Sequence, residues 1–432
     1  MNQLLKPQQT VRMQSSGTNC EVEAYLGGGG QGEVYRAKLA GKPIAVKWYY
    51  PQVAKQEQWI ALETLIKKGP PSEHFLWPMA MVSSTGVPGF GYAMPLRPPH
   101  YKGIHDLMKR RIEPTFRSLT TAGRQLAHSF LQLHSMGLCY CDISFGNVFF
   151  DPQTGGILIC DNDNVVVDRQ ARSDGVGGTP RFMAPEIVRG EALPSSETDL
   201  FSLSVLLFYM FMLHHPLEGK KEAAIHAMNL PAMNKLYGIE PIFIFDPNND
   251  TNRPVPGYQD NPLAFWPIYP EFFRKLFVQA FTVGLSAPSK RVRESEWRVA
   301  MERLADVVVY CSCGAQNFFD PDGRTTVCWA CKKTIALPMR LQTGRQIIML
   351  NHDTRLFPHH IDEKKSHDFS EPWAAVQKHP TDSRIWGLKN LSPEKWVCTL
   401  ADGSIKDVES GRSVTLAVGT TIHFGNTKAE IK

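Results

Sequence analysis

The chain has 432 residues, 43% of them apolar, with 47 basic and 42 acidic side chains and a net charge of +5. This length predicts two to four domains, with enough apolar residues for sizeable cores. The positive charge is mild and dispersed, so it argues against a dedicated nucleic-acid or membrane-surface protein and indicates ordinary solvated surface charge.

The sequence shows neither a membrane-spanning segment nor an export signal. The apolar run from Leu203 to Leu213 is too short to span a bilayer and fits a buried helix. The first residues lack the apolar core of a secretory signal, so we expect a cytoplasmic protein. Residues 1–20 are expected to form a flexible N-terminal segment before the first strand.

A glycine-rich turn follows this segment. Leu26-Gly-Gly-Gly-Gly-Gln-Gly-Glu-Val34 fits the pattern G-x-G-x-x-G-x-V on Gly27, Gly29 and Gly32. Glycines allow backbone N–H groups to approach phosphate oxygens closely. A flexible polyglycine linker is the alternative, but the strand Ile44-Ala-Val-Lys47 behind it, which ends in a lysine, favours a nucleotide-binding turn.

Lys47 needs a carboxylate partner if it is to hold nucleotide phosphates. Glu63 lies sixteen residues further on, in a stretch from Gln56 to Lys68 that predicts a helix ending at Gly69-Pro-Pro. Such a helix is expected to direct Glu63 at Lys47. Glu57 is the rival partner, although ten residues leave little chain for the loop and the first helical turn. Otherwise either glutamate is an ordinary surface residue of an amphipathic helix.

Three further side chains have the spacing that phosphoryl transfer requires. They are Asp142 and Asn147 in Asp142-Ile-Ser-Phe-Gly-Asn147, and Asp161 fourteen residues later. The reaction needs a base for the incoming hydroxyl and oxygen ligands for Mg²⁺. Two short apolar stretches around a turn, residues 148–150 and 157–160, predict a hairpin that brings Asn147 and Asp161 together. Without this context the spacing fits two solvated side chains equally well.

The motifs together resemble those of the eukaryotic-type serine/threonine protein kinases, over about residues 20 to 305. Gly178-Thr-Pro-Arg-Phe-Met-Ala-Pro-Glu186 is similar to the end of that family's activation segment. The resemblance implies that Asp199 caps the catalytic loop and that Arg291 pairs with Glu186. It favours a protein as the phosphate acceptor over a small molecule, and Thr179 favours serine or threonine.

The resemblance also implies a fold and a set of roles. The fold is α+β: a bilobal kinase with an N-lobe at 21–97 and a C-lobe at 98–308, then a zinc ribbon and a β-sandwich. ATP and Mg²⁺ are the implied cofactors. The implied catalytic residues are Lys47, Glu63, Asp142, Asn147 and Asp161. Of these, Asn147 and Asp161 are implied to hold magnesium. The residues implied to bind the nucleotide are Gly27, Gly29, Gly32, Val34, Ala45, Lys47, Asn147 and Asp161, with Met94 and Leu96 at the hinge.

Three departures from the family pattern bear on mechanism. Tyr140-Cys141-Asp142 replaces the usual His-Arg-Asp, Ser144 replaces a lysine, and Asp161-Asn162-Asp163 replaces Asp-Phe-Gly. The missing arginine removes the cation that reads a phosphorylated loop, so activity is expected not to depend on such phosphorylation. The missing lysine removes positive charge near the transferred phosphoryl group, so turnover is expected to be slow.

Four of the nine cysteines form two pairs in turn-like sequence. Cys311-Ser-Cys313 and Cys328-Trp-Ala-Cys331 lie fourteen residues apart, which predicts a structural Cys₄ zinc site in a ribbon over residues 309–337. The first pair is one residue closer than usual. Reduced thiols or a redox pair are the alternatives. The remaining cysteines are expected to be reduced thiols.

After Pro338 short β-rich stretches alternate with turns, which predicts a β-sandwich over residues 338–432. Features including Gly344-Arg345, His360 and the segment 387–392 are similar to a forkhead-associated domain, a phosphothreonine-binding module. Phe357 and Pro358 stand where that family has a serine and an arginine, so we expect a protein-docking module. The histidines at 352, 359 and 360 fit solvated loop residues better than a metal site.

The whole arrangement resembles bacterial stress-associated kinases linked to tellurite-resistance gene clusters. That resemblance implies a von Willebrand-type protein and a phosphatase from the same cluster as partners. No nucleic-acid or membrane partner is expected, because the charge is mild and dispersed. A competing hypothesis is a nucleotide-binding pseudokinase that acts as a scaffold through its C-terminal modules. Small-molecule phosphotransfer is disfavoured by the segment ending in Glu186 and by Arg291.

Overall fold

A computed structural model describes residues 3–169, 178–321, 327–344 and 346–432. The chain divides into two compact units, one formed by residues 1–267 and 274–299 and the other by 268–273 and 300–432. This division separates only two bodies, so the finer boundaries at residues 98, 309 and 338 stay predictions. Arg345, part of the forkhead-like pattern, lies outside the described residues.

The first unit begins with a closed barrel of six strands, accompanied by one helix. The strands close in the order β1-β2-β3-β4-β6-β5. Alternating buried and exposed residues along β2 and β3 place one face of each strand in the barrel core. The elements are β1 Thr10–Met13, β2 Asn19–Gly28, β3 Gly32–Leu39, β4 Lys42–Tyr49, α1 Gln56–Lys68, β5 Ala80–Ser83 and β6 Gly91–Pro95.

The described part of the N-terminal segment, from residue 3, contains strand β1, whereas a flexible segment was expected over residues 1–20. Strand β1 pairs antiparallel with both β2 and β5 and so closes the barrel. Val11 and Met13 point into the core, and Leu5 is fully buried. The prediction failed because only two apolar side chains alternate in this short strand, among polar neighbours that mask the pattern.

Helices dominate the rest of the first unit, around the buried helix α5. Its start is fixed by a capping box between Ser195 and Thr198. The elements are β7 Lys102–Gly103, α2 Ile104–Met108, α3 Phe116–Ser135, β8 Leu138–Cys139, β9 Val148–Phe150, β10 Ile157–Ile159, β11 Val166–Val167, α4 Pro185–Val188, α5 Ser196–Met212, α6 Lys220–Ala223, α7 Leu230–Met233, α8 Asp260–Phe265, α9 Glu271–Ala280, α10 Val283–Ser286 and α11 Glu294–Asp306. The first three residues of α9 and the last seven of α11 belong to the second unit.

The predicted active-site hairpin is present. Strands β9 and β10 pair antiparallel, with Val148 opposite Ile159. Asn147 therefore precedes one strand where Asp161 follows the other, and both side chains reach the same end of the hairpin. None of the helices in the described ranges is long and apolar enough to cross a membrane.

The second unit consists mainly of β-strands. Two sheets, β15-β14-β23-β22-β19-β20 and β16-β17-β18-β21, share one hydrophobic core that includes Leu341, Leu388 and Trp396. The elements are β12 Val308–Tyr310, β13 Gln316–Phe318, β14 Arg340–Thr343, β15 Gln346–Met349, β16 Arg355–Leu356, α12 Pro358–Ile361, β17 Ala374–Lys378, β18 Trp386–Asn390, β19 Trp396–Thr399, β20 Ile405–Val408, β21 Ser413–Thr415, β22 Thr421–Phe424 and β23 Thr427–Ile431.

His360 in this unit is a buried, hydrogen-bonded residue and not a solvated loop residue. Its Nδ1 accepts a hydrogen bond from the Phe357 backbone N–H, and its Nε2 lies 3.0 Å from Asp306 Oδ1. Its side chain is buried. The expectation of a solvated histidine was wrong here, because α12 turns this ring towards the end of α11.

Candidate functional site

The glycine-rich segment forms the turn between β2 and β3. Gly27 and Gly28 end β2, and the Gly29 N–H donates to the Gly32 carbonyl at 2.9 Å. A Cβ added to Gly32 would lie 2.2 Å from the Trp48 carbonyl oxygen, so only glycine fits there. At Gly27 and Gly29 an added Cβ would meet no atom within 4 Å. The open side of the turn therefore leaves room for a ligand.

Lys47 lies on β4 beneath this turn, and its side chain is 7% exposed. It does not pair with Glu63. Its ammonium lies 2.7 Å from Asp163 Oδ2 and 3.6 Å from Asp161 Oδ1. Gln31 in the glycine turn accepts a further hydrogen bond from Lys47 at 3.2 Å. A carboxylate two residues beyond Asp161 thus replaces the predicted partner on helix α1.

Asp163 lies in a cage of donors. Tyr49 and Tyr92 donate hydrogen bonds from their hydroxyls to its two oxygens, and Lys47 contacts both oxygens. Burial would raise the pKa of Asp163, but the Lys47 charge and these hydrogen bonds outweigh it and lower the pKa. The Asp163 side chain is fully buried. It is therefore held as a carboxylate.

Asp142 and Asn147 meet in the loop after β8. The Asn147 side-chain amide donates to the Asp142 backbone oxygen at 2.8 Å and to Asp142 Oδ2 at 3.1 Å. The other carboxylate oxygen, Oδ1, accepts from the Thr179 hydroxyl at 3.2 Å. Cys141, directly before Asp142, has a positive φ of 70°. Such backbone conformations are costly and are often kept at functional sites.

Asp161 and Asn147 supply oxygens suited to a cation. Asp161 has φ 52°, and its side chain is 39% exposed. Burial raises the pKa of Asp161, and the nearby carboxylates of Asp163 and Asp142 raise it further. The Lys47 charge lowers this pKa but does not cancel the increase. A divalent cation would relieve that unfavourable negative charge. The Asn147 amide nitrogen is used within the loop, so its oxygen is the atom left for a metal. These residues fit a hard cation such as Mg²⁺.

The apolar residues expected at the nucleotide base lie together. Ala45 on β4 is the register partner of Met94 on β6. Both are buried in one cluster, against which Val34 and Leu96 pack. The strand Gly91–Pro95 leads into the predicted hinge. The structure thus groups all four residues beside the glycine turn and Lys47.

Asp199 fixes the loop that carries Asp142. Its carboxylate accepts hydrogen bonds from the backbone N–H groups of Tyr140 and Cys141. Its expected role as a cap of this loop is confirmed. The Tyr140 hydroxyl, in the place of the family histidine, donates to the Cys160 backbone oxygen. Two backbone segments that carry site residues are therefore tied together by a neutral side chain.

Behind Asp199 lies a charged residue that the sequence did not reveal. His134, at the end of α3, contacts Asp199 at 3.1 Å through Nε2 and Glu294 through Nδ1. Although burial alone would lower its pKa, the hydrogen bonds to Asp199 and Glu294 raise the pKa of His134 to about 10. The imidazolium therefore bridges two carboxylates at neutral pH.

This bridge predicts a pH-dependent stability. The pKa of His134 is about 6.5 in an unfolded chain and about 10 in the fold, so its contribution is complete below pH 6.5 and is lost as pH rises to 10. We expect His134→Gln to reduce the free energy of unfolding at pH 6.5 by about 2 to 4 kcal/mol. Urea unfolding between pH 6.5 and 10 measures it. A gap between wild type and variant that stayed constant over this range would contradict the charged bridge.

The pair predicted between Arg291 and Glu186 is also confirmed. Two guanidinium nitrogens of Arg291 donate to the two carboxylate oxygens of Glu186, each at 2.8 Å. The same side chain donates to the backbone oxygens of Glu197 and Gly284. It is 1% exposed. The segment that ends in Glu186 is thereby fastened to the helices behind it.

Three residues of the lysine environment escaped the sequence analysis: Asp163, Tyr49 and Tyr92. One signal was present, because Tyr49 lies two positions after Lys47 on a strand and must share its face. Tyr92 is the register partner of Lys47 across β4 and β6, which no local pattern reveals. Asp163 was noted only as a departure from the family tripeptide.

A second cluster, in the second unit, contains Cys311, Cys313, Cys328 and Cys331. Their sulfur atoms all lie within 4.8 Å of one another, with Cys311 to Cys331 at 3.5 Å and Cys313 to Cys328 at 3.7 Å. Around a tetrahedral zinc ion with Zn–S bonds of about 2.3 Å, sulfurs lie about 3.8 Å apart. The four thiols fit such an ion, and they form the one group of this kind found in the described residues.

The hydrogen bonds around Cys328 also suit a metal-bound thiolate at this position. The buried Asn317 donates to Cys328 Sγ at 3.5 Å and accepts from the Trp329 N–H at 3.0 Å. Burial opposes ionisation of Cys328, but the backbone N–H groups of Cys331 and Ala330, with Asn317, lower its pKa to about 6. Hydrogen bonds of this kind orient metal ligands.

Comparison with known proteins gives the first site a context. A family model described as the protein kinase domain matches residues 20–264. The DNA damage-responsive serine/threonine-protein kinase RqkA of Deinococcus radiodurans is 30% identical over 217 residues, which cover 48% of this chain and 31% of that protein.

Two eukaryotic relatives are similar. The serine/threonine-protein kinase plk-2 of Caenorhabditis elegans is 26% identical over 224 residues, covering 47% of this chain and 32% of that protein. The protein kinase MCK1 of Saccharomyces cerevisiae is 26% identical over 187 residues, covering 43% of this chain and 46% of that protein. The matches thus span between about a third and half of the length of these curated relatives.

Proposed function

Because the chain belongs to the protein kinase family, whose domain model matches more than half of it, we propose that it is an ATP- and Mg²⁺-dependent serine/threonine protein kinase. It transfers the γ-phosphate of ATP to a protein hydroxyl. The observation that supports this most directly is at one end of the β9–β10 hairpin. There Asn147 contacts Asp142, and Asp161 lies 3.6 Å from the Lys47 ammonium.

The contacts of the site residues support a role for each of them. Backbone N–H groups at Gly27, Gly29 and Gly32 cover the phosphates, and Lys47 binds them from below. Val34, Ala45, Met94 and Leu96 enclose the base. Asn147 and Asp161 would hold magnesium, which would neutralise the phosphate charge.

Asp142 is proposed as the group that orients the acceptor hydroxyl and accepts its proton. Its Oδ1 already accepts a hydrogen bond from an alcohol, that of Thr179. A substrate serine or threonine presents the same group to the same carboxylate. General bases must lie within hydrogen-bond reach of the proton they take, and this geometry satisfies that condition.

Activity is proposed to be independent of activation-loop phosphorylation. Cys141 stands where an arginine would read a phosphate, and Asp199 holds the Cys141 backbone without help from such a cation. Ser144 leaves no lysine beside the transferred phosphoryl group, so turnover is proposed to be slow.

The four-cysteine cluster is proposed to hold one structural zinc ion. Four thiolates leave no open coordination position, so this metal would stabilise the fold and would not act in catalysis. The sheets that follow are proposed to form a forkhead-associated-like docking domain. A von Willebrand-type protein and a phosphatase encoded nearby are the proposed partners, in the cytoplasm.

The activity is tested with purified protein, ATP labelled on the γ-phosphate, Mg²⁺ and a generic protein acceptor. We expect label transfer by the wild type and a loss of about 100-fold or more in Asp142→Asn and Asp161→Asn, since each removes a charge that acts in the transition state. Lys406→Gln, an exposed substitution in the second unit, is the control. Transfer no greater than in these variants, despite ATP binding, would favour the scaffold hypothesis.

A further inference from the structure

We propose that Asp163, and not a glutamate of helix α1, positions Lys47 for the phosphates of ATP. The inference rests on the proposed binding of ATP phosphates by Lys47. It assigns a role to a residue that the family pattern fills with glycine, and it places the partner of the lysine in the segment that also carries the metal ligand Asp161.

The contacts divide the two aspartates by task. Asp161 lies 3.6 Å from the Lys47 ammonium, and 39% of its side chain is exposed. Asp163 is in direct contact at 2.7 and 3.0 Å, and its side chain has no exposed surface. Asp161 thus faces the open site where a metal would bind, while Asp163 lies behind Lys47.

The oxygens of Asp163 are already used. Oδ1 accepts from Lys47 and from the Tyr92 hydroxyl, and Oδ2 accepts from Lys47 and from the Tyr49 hydroxyl. A carboxylate with both oxygens engaged by fixed donors is a poor candidate for a metal ligand. It is well suited to hold a lysine, because buried charges are stable only when they are paired and hydrogen-bonded.

The cage is built on the barrel. Tyr49 shares a strand face with Lys47, and Tyr92 lies across from Lys47 on β6. Helix α1 reaches this cage through Gln58, whose side chain lies 3.2 Å from the Tyr49 hydroxyl. The helix therefore acts on Lys47 through two neutral groups, and its own glutamates make none of the recorded ion pairs with Lys47.

This arrangement has a regulatory consequence. A lysine whose carboxylate partner lies on a mobile helix loses that partner whenever the helix rotates away. Here the partner lies two residues after Asp161, so the lysine and the metal ligand are placed by the same short turn, Asn162–Asn164. Formation of the ion pair then does not require a particular position of α1.

A double-mutant cycle on ATP affinity tests the proposal in the full-length protein. We measure the Kd for Mg-ATP in the wild type, Asp163→Asn, Lys47→Met and the double variant. Asp163→Asn is expected to weaken ATP binding about tenfold when Lys47 is present and less than about twofold in the Lys47→Met background, because Asp163 acts through the lysine. Equal losses in both backgrounds would indicate a merely structural residue and overturn the proposal.

Two further measurements keep the result specific. Adenosine, which has no phosphates, is expected to bind Asp163→Asn as it binds the wild type; a parallel loss would show a damaged pocket and overturn the proposal. Glu63→Gln makes the same chemical change on α1 and is expected to leave the ATP Kd and the KM for ATP within about twofold. A loss there equal to that of Asp163→Asn would return the role to the helix.

The remaining outcomes are also decisive. Tighter ATP binding by Asp163→Asn would identify the ion pair as an inhibitory lock on Lys47, which contradicts a positioning role. No ATP binding by the wild type would overturn both this inference and the proposed kinase activity. The expected cycle together with no phosphate transfer by the wild type would support the positioning role and reject only the activity.

Discussion

Replacement of Cys328 and Cys331 together by serine is expected to remove zinc from the protein and to unfold the segment between β12 and β14. Purified wild type is expected to contain about one zinc per chain, and the double variant almost none. Structural zinc sites in small units provide roughly 10 to 16 kcal/mol of apparent binding free energy, which is free energy of folding.

The size of the effect follows from the small core around the cysteines. That core contains Val309, Ile335, Met349 and two of the cysteines themselves, Cys311 and Cys328. So few apolar side chains cannot offset the conformational entropy lost by the turns on either side. The sandwich core, which includes Leu388 and Trp396, is separate and much larger. Limited proteolysis should therefore cut the cysteine segment and spare the sandwich strands.

A matched control comes from the same unit. Cys398 is a buried free cysteine outside the cluster, so Cys398→Ser is expected to keep its zinc whatever it costs the sandwich. Treatment of the wild type with a strong chelator should reproduce the proteolysis pattern of the double variant. Two results together would contradict the metal site and favour simple thiols. The reduced wild-type protein would contain no zinc, and it would resist protease equally well with and without chelator.

The sequence predicted those parts of the site that depend on short spacings. A local hairpin brings Asn147 and Asp161 to one end, and Asp142 contacts Asn147 from the loop just before it. Arg291 was paired correctly with Glu186 through the family resemblance, over a separation that no periodicity bridges. The partner of Lys47 was predicted wrongly, because the family resemblance pointed to a glutamate on α1. It depends on how α1 and the turn at Asp163 pack on the barrel, which is a tertiary property.

Buried polar groups mark the other limit of sequence analysis. His134 reads as one more residue of an amphipathic helix, and only the convergence of Asp199 and Glu294 on its ring makes it a charged bridge. The N-terminal strand was missed because its two inward residues, Val11 and Met13, form too short a pattern. Its stability comes from pairing with β2 and β5, which lie far apart in sequence.

Arg291→Met is expected to lower the free energy of unfolding of the first unit by about 3 to 5 kcal/mol. The change leaves the Glu186 carboxylate without its partner, since both guanidinium contacts at 2.8 Å disappear. It also removes a donor from the backbone oxygens of Glu197 and Gly284. Breaking a buried ion pair by removing one partner costs this much because a charge remains buried and uncompensated. Chemical denaturation followed by tryptophan fluorescence measures it.

Arg384→Met provides the control, because the Arg384 side chain is 88% exposed and its pair with Asp382 lies in solvent. That change is expected to cost less than about 1 kcal/mol. If the large loss in Arg291→Met comes from the charge left on Glu186, then adding Glu186→Gln should restore part of the stability. A double variant as unstable as the sum of both single changes would assign the loss to packing and to the two backbone oxygens. Partial recovery would show that the loss in Arg291→Met comes mainly from the unpaired charge on Glu186.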